Sequence, residues 1–164
     1  MKTLFDPGQQ IISLDADLLR RELDCARGLY VNDYEFELMQ KHTGYSETEL
    51  LAKPVFSVIT LGERGVRVNS AEGDIYVPAL TGLNIVDPTG VGDAFRGGFL
   101  RGYLAGLSLK TCAEMGTITA AACIQQNGTQ VHRFTWDEFV TEYRKHFDDQ
   151  GLSLIHISEH TRPY

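Results

Sequence analysis

The chain has 164 residues, 43% of them hydrophobic and 23% charged, a size and balance that fit one soluble globular domain with a sizeable core. Its formal net charge of −7, without any Lys/Arg run, argues against broad nucleic-acid binding, and no apolar stretch approaches a membrane span. Three widely spaced cysteines (Cys25, Cys112 and Cys123) in apolar contexts, with no signal-peptide pattern before them, suit packing thiols in a reducing cytoplasm and not a disulfide frame or zinc site.

In chain order, "TLFDPG" reads as a strand stopped by Asp-Pro-Gly, and residues 15–26 as a helix with Leu18, Leu19, Glu22 and Leu23 at helical spacing. "GLYVN" (28–32) is a short buried strand, and 33–42 returns to helix. Ser46 and Glu49 form a capping box for a short helix before Pro54. "VFSVITL" (55–61), apolar on both faces, is the strongest strand and has the character of a central parallel one. Two alternating segments follow, a hairpin turning near Ser70–Gly73, and "NIVD" gives one more strand. Helices are expected at about 94–106, at 109–126 after Ser108, and at 135–147 with Phe139, Tyr143 and Phe147 on one side. The alternation predicts an α/β fold with a largely parallel sheet. The segment 151–164 has no helical spacing and no partner segment, so it reads as a non-native or unstructured tail beyond a domain over 1–150.

The chemistry concentrates in "DPTGVGDAFRGGFL" (87–100). Thr89-Gly90-Val91-Gly92 lets several backbone N–H groups point one way, and the following helix adds its unpaired N–H groups and positive dipole end. Such a turn suits a phosphate or a developing oxyanion. Asp93 stands at its mouth, where it could take a proton from a hydroxyl attacking phosphorus. The residues alone leave a plainer reading open, in which Asp93 caps the helix and the glycines make a tight turn. A Walker loop is excluded because no Gly-Lys-Ser/Thr follows, and a dinucleotide fingerprint because Phe95 stands where the third glycine belongs.

Three other stretches accompany it. Asn32-x-x-Glu35, at a strand–helix junction, sets an amide and a carboxylate one helical turn apart, as a hydrated Mg²⁺ requires, although Asn32 is equally a plain N-cap. "TLGERG" closes the strongest strand, where parallel sheets bind ligands; Thr60 offers a hydroxyl, while Gly62 and Gly65 allow close approach. Arg64 reads as a solvated surface residue, and Asn127-Gly128 follows a helix. His42, His132 and His146 lack paired-ligand spacing, Trp136 reads as core, and Gly97, Gly98, Gly102 and Gly106 suit close helix–sheet packing.

The glycine turn resembles the second signature of the ribokinase-like (PfkB) carbohydrate and nucleoside kinases, with Val91 where a small Ala is more usual. The resemblance covers about residues 3–148 and only the C-terminal portion of that three-layer fold, so a fragment with its acceptor-binding half missing is expected. It implies ATP-dependent transfer to a sugar or nucleoside hydroxyl, with Asp93 as base and the N–H groups of Gly90, Val91 and Gly92 as anion hole. It further implies nucleotide contacts at Thr60, Gly62, Gly65, Asn127 and Gly128, and Mg²⁺ organised through water by Asn32 and Glu35. Asp87 and Thr89 match oxygens that hold K⁺ in some members. "FDPGQQ" and "NGTQVHRFTWDEF" resemble bacterial adenosine kinases, which favours a nucleoside acceptor. The cut sheet edge predicts pairing with the missing N-terminal half or with a second copy.

Overall fold

The computed structural model describes residues 3–129 and 133–148; His132 and the segment 151–164 lie outside the described residues. The chain divides into two compact units, Met1–Pro78 and Ala79–Tyr164.

In the first unit, strands β1 (Thr3–Phe5), β2 (Ala26–Asn32), β3 (Phe56–Thr60), β4 (Val66–Ser70) and β5 (Gly73–Val77) form one sheet in sequential order. β1–β2 and β2–β3 pair parallel, whereas β3–β4 and β4–β5 pair antiparallel. The sheet is therefore mixed, which corrects the largely parallel expectation. The connection of residues 61–65 is too short for the crossover of about a dozen residues that a parallel neighbour needs, so the chain must fold straight back. Two helices supply the parallel crossovers: α1 (Ala16–Cys25), whose first turn Asp15 caps, and α2 (Asp33–Thr43). The short α3 (Glu47–Leu51) carries the expected Ser46/Glu49 capping box. Leu19 and Leu23 pack with Leu29, Val31, Met39, Leu50 and Ile59 in one core. A 3₁₀ turn at Gly8–Ile12, which the sequence pattern did not announce, adds Ile11 to it. Gly28 lets β2 lie between its neighbours, since a Cβ there would stand 2.4 Å from the Phe56 ring and 2.7 Å from Leu4.

The second unit is helical: α4 (Val91–Leu104), α5 (Leu109–Ile124, capped by Ser108) and α6 (Trp136–His146, capped by Thr135). α4 and α5 approach closely through Gly98 and Gly102, so the partner of these glycines is a helix and not a sheet. Among the described residues, a Cβ at Gly97 or Gly106 would meet nothing within 4 Å, so the close approach of α4 to α5 does not rest on them. Phe139 and Tyr143 meet Met115 and Ile118, with Trp136 and Phe147 packed alongside. The Tyr143 hydroxyl donates to the buried Glu114 carboxylate. "NIVD" is not a strand. The N–H groups of Val86 and Asp87 both donate to the Ile124 carbonyl, at 2.9 and 3.2 Å, so they pair with the end of α5 and not with a sheet neighbour. Among the described residues no helix is long and apolar enough to cross a membrane.

Candidate active site

The glycine turn is built by three backbone devices. The Asp87 carboxylate accepts the Thr89 N–H at 2.8 Å, which folds the chain back on itself. Gly90 then takes a left-handed conformation (φ 80, ψ 0), open to glycine at little cost, and opens α4 without any side-chain cap. The first helical bond runs from the Ala94 N–H to the Gly90 carbonyl, at 2.9 Å. The Val91 N–H leans towards the Pro88 carbonyl at 3.4 Å, while those of Gly90, Gly92 and Asp93 have no acceptor among the described residues. α4 begins three residues before the expected start, so Asp93 lies inside its first turn, against the positive end of the helix. The Asp93 side chain is 85% exposed and pairs with Arg96 at 3.0 Å.

Behind the turn lies the segment after α5. The second Asp87 oxygen accepts the Gly128 N–H at 3.2 Å, and the Cys123 thiol lies 3.8 Å from the Thr89 carbonyl and 3.9 Å from that of Thr129. A Cβ on Gly90 would stand 2.8 Å from that of Thr129, so the two segments touch. Hydrogen bonds from the Thr89 side chain and backbone, then from Gly128, hold the Asp87 carboxyl below the usual aspartate range. Burial, followed by the negative charges of Asp87 and Asp93, pushes the Cys123 thiol up. Both Asp87 oxygens thus already serve backbone donors. Their chemistry, with the Thr89 carbonyl nearby, suits a hard monovalent cation, but the displayed work of Asp87 is to tie the turn to Gly128. Asn127 is exposed next to it.

The first unit gathers its own set at the C-terminal ends of β2 and β3, where Asn32 and Thr60 are register partners. Asn32 accepts the Glu35 N–H at 2.7 Å, and the Glu35 carboxylate accepts the Asn32 N–H at 2.8 Å. This capping box occupies one oxygen of Glu35 and the amide oxygen of Asn32, and Glu35 is buried. The remaining carboxylate oxygen fits contact with a hydrated ion through water, not a dedicated cage. Among the described residues no three His, Cys, Asp or Glu side chains cluster as a metal site. After β3, the Leu61 N–H bonds the Gly65 carbonyl at 2.8 Å, and Gly65 adopts φ 101, ψ −137, which other residues resist. Arg64 is not merely solvated: it pairs with Asp33 at 2.8 Å and receives the Tyr76 hydroxyl on its carbonyl, tethering the loop to the first turn of α2.

Within the first unit, then, Asn32, Glu35, Thr60, Gly62 and Gly65 share one sheet end. Within the second, Asp87, Thr89, Gly90, Val91, Gly92, Asp93 and Gly128 form one cluster. The sequence reading passed over Arg96 and the lining by Cys123 and Thr129. The spacing of three from Asp93 to Arg96 was a usable signal for the first; nothing local announced the others.

The sequence pattern of the pfkB family of carbohydrate kinases matches residues 1–135. The chain belongs to that family. It is 30% identical over 142 residues to a nucleoside kinase of Methanocaldococcus jannaschii, covering 87% of this chain and 47% of that protein. It is 45% identical over 120 residues to a cytidine kinase of Thermococcus kodakarensis, covering 68% of this chain and 42% of that one. Burkholderia thailandensis nucleoside kinase, solved in complex with inosine, superposes with a TM-score of 0.87 at 35% identity, over 89% of this chain and 49% of its own. The fold is accordingly ribokinase-like, and the chain spans about half the length of the relatives it matches.

Proposed function

We propose that this pfkB chain carries the nucleotide and phosphoryl-transfer part of a kinase that phosphorylates a nucleoside hydroxyl with ATP, adenosine being the favoured acceptor. The observation that carries the reading is the start of α4: a left-handed Gly90, open N–H groups at Gly92 and Asp93, and an exposed carboxylate at the same mouth. In this reading those N–H groups hold the transferring phosphoryl oxygens, worth several kcal/mol when aimed at developing charge (about 3 kcal/mol for one such donor). Asp93 accepts the proton of the attacking hydroxyl at its carboxylate. Thr60, Gly62, Gly65, Asn127 and Gly128 contact the nucleotide, and Asn32 and Glu35 orient water around Mg²⁺. That ion, when bound, neutralises charge on the nucleotide phosphates. K⁺ near Asp87 and Thr89 would serve the turn in the same electrostatic sense. The names of the relatives support a nucleoside over a free sugar. The preference for adenosine rests on the resemblance of "FDPGQQ" and "NGTQVHRFTWDEF".

A second reading is a nucleotide-binding half that turns over only with a complementary chain or a second copy, favoured by the half-length coverage of the relatives. Calorimetric titration with Mg·ATP, in the parent and in Asp93→Ala, followed by addition of adenosine, cytidine or ribose, separates the two. We expect both proteins to bind Mg·ATP and the variant to transfer phosphate more slowly than the parent by about 10²–10⁴. Binding without transfer in either protein supports the half-site reading, and absence of binding by folded protein refutes both.

A further inference from the structure

We propose that Arg96 is the positioning residue for the Asp93 carboxylate, holding it in one rotamer across the mouth of the glycine turn. The proposal rests on the reading of Asp93 as base, and it deepens that reading by naming what aims the base.

An aspartate in the first turn of a helix, 85% exposed, is free to sample several staggered χ1 wells. A base must point at one place, because transfer depends on near-attack geometry. Among the described residues the only polar partner shown for the Asp93 carboxylate is Arg96 Nη1, at 3.0 Å. Arg96 is not a loose surface arginine. Its side chain is 29% exposed, so most of it is buried, and a buried stem restricts where the guanidinium can sit.

Gly92 supplies the second observation. It is an ordinary helical residue without a positive φ, so its backbone does not need to be glycine. What the missing side chain provides is room: a Cβ there would stand 3.3 Å from Arg96 Nη1, the same nitrogen that bonds Asp93. One atom is therefore fixed from two sides, seated over Gly92 and bonded to Asp93. Exposed pairs at this spacing contribute little to stability, so the value of the contact lies in geometry. Arg presents a planar, permanently charged fork, which defines the direction of the bond better than a Lys point charge.

The test reads the rotamer directly. In the ¹³C,¹⁵N-labelled chain, the three-bond couplings from the backbone N and C′ to Asp93 Cγ report χ1 for the parent, Arg96→Met, Arg96→Lys and Gly92→Ala. We expect a single rotamer in the parent, averaged couplings in Arg96→Met and Gly92→Ala, and partial restoration in Arg96→Lys. Amide spectra that superpose away from α4 identify variants that remain folded. In the transfer assay we expect kcat of Arg96→Met to fall about tenfold to a hundredfold, with KM for ATP unchanged and Arg96→Lys in between. Parent couplings that are already averaged, or Arg96→Met couplings equal to those of the parent, overturn the proposal. If the parent binds nucleotide without transfer, the couplings decide alone, so a failed kinase reading is told apart from a failed positioning role.

Discussion

Gly97 and Gly98 are neighbours on α4 with opposite surroundings, and alanine at each gives a paired test of how the helix bearing Asp93 is held. Among the described residues, a Cβ at Gly97 meets nothing within 4 Å. Alanine there removes only the entropic cost of glycine in a helix, and the expected gain is about 0.5–1 kcal/mol. At Gly98 the same atom would stand 2.3 Å from Thr119 Oγ1, 2.7 Å from the Met115 carbonyl and 3.0 Å from Gly116 Cα. Two of those three are backbone, so the helices must separate, at about 1–3 kcal/mol for overpacking. The Thr119 hydroxyl also sits 2.8 Å from the Ala94 carbonyl, and displacing it forfeits about 1 kcal/mol more. Set against about 1 kcal/mol of regained helix propensity, the net loss is about 1–3 kcal/mol. Urea unfolding followed by the single tryptophan, Trp136, reports the second unit. With a slope of about 2 kcal/mol per molar, a loss of about 2 kcal/mol lowers the midpoint by about 1 M. Gly97→Ala should move it the other way. Equal midpoints for the two variants would refute the close approach of α4 and α5. The functional corollary concerns Ala94, the residue after Asp93, whose carbonyl Thr119 holds.

Two further outcomes are expected. Because the Asp87 carboxyl is held below the ordinary aspartate value of 3.8, its contribution to stability is complete above about pH 4–5 and is lost as pH falls through the lowered value; the thermal midpoint of Asp87→Asn should lie below that of the parent at pH 7 and approach it as pH falls below the lowered value, whereas a gap independent of pH would sink this account. Asn32→Ser keeps the acceptor for the Glu35 N–H and should match the parent in stability, while Asn32→Ala should lose about 1 kcal/mol; weaker Mg·ATP binding by Asn32→Ser at parental stability supports a role beyond capping, and unchanged binding leaves Asn32 a cap only.

Every described α-helix except α4 carries a local start signal in its sequence, and that signal made these helices legible. Asn32, Ser46 and Ser108, read as helix starts, accept an N–H of the first turn, and Asp15 and Thr135, read as the first helical residues, do the same from the cap position. The hairpin of β4 and β5 was legible from its alternation. Failures came where partners are distant in sequence. Ile85-Val86 has the composition of a strand, but strand identity depends on a ladder partner, and the carbonyl that answers these N–H groups belongs to Ile124. Gly98 and Gly102 were recognised as packing glycines, yet nothing local tells whether a sheet or a helix presses against them. The site divides the same way: the amides and the acid lie within a few residues and were readable, whereas the support from Cys123, Gly128 and Thr129 arrives from the far end of α5.

The start of α4 departs from the rule that the other α-helices keep, and the departure is informative. At α2, α3 and α6 the third helical residue is a glutamate that reaches back to the N–H of the capping residue, while the cap's side chain answers the helix in return. At α4 the cap is Gly90, with no side chain to offer, and the third residue is Asp93, one methylene shorter than glutamate. Its carboxylate turns forward to Arg96. The left-handed Gly90, where a Cβ would stand 2.8 Å from Thr129, closes off a serine–glutamate box of the kind the others carry, so the N–H groups and the carboxylate both stay outside one. Leaving both open forgoes a cap that is worth about 1 kcal/mol elsewhere. That loss has a physical rationale if something external supplies the missing acceptor, and an oxygen of a phosphoryl group is the acceptor that a cluster of N–H groups at a helix N-terminus favours. In the proposed reading, the acid beside it then faces the attacking hydroxyl, and that reading gives the two features one purpose in one turn.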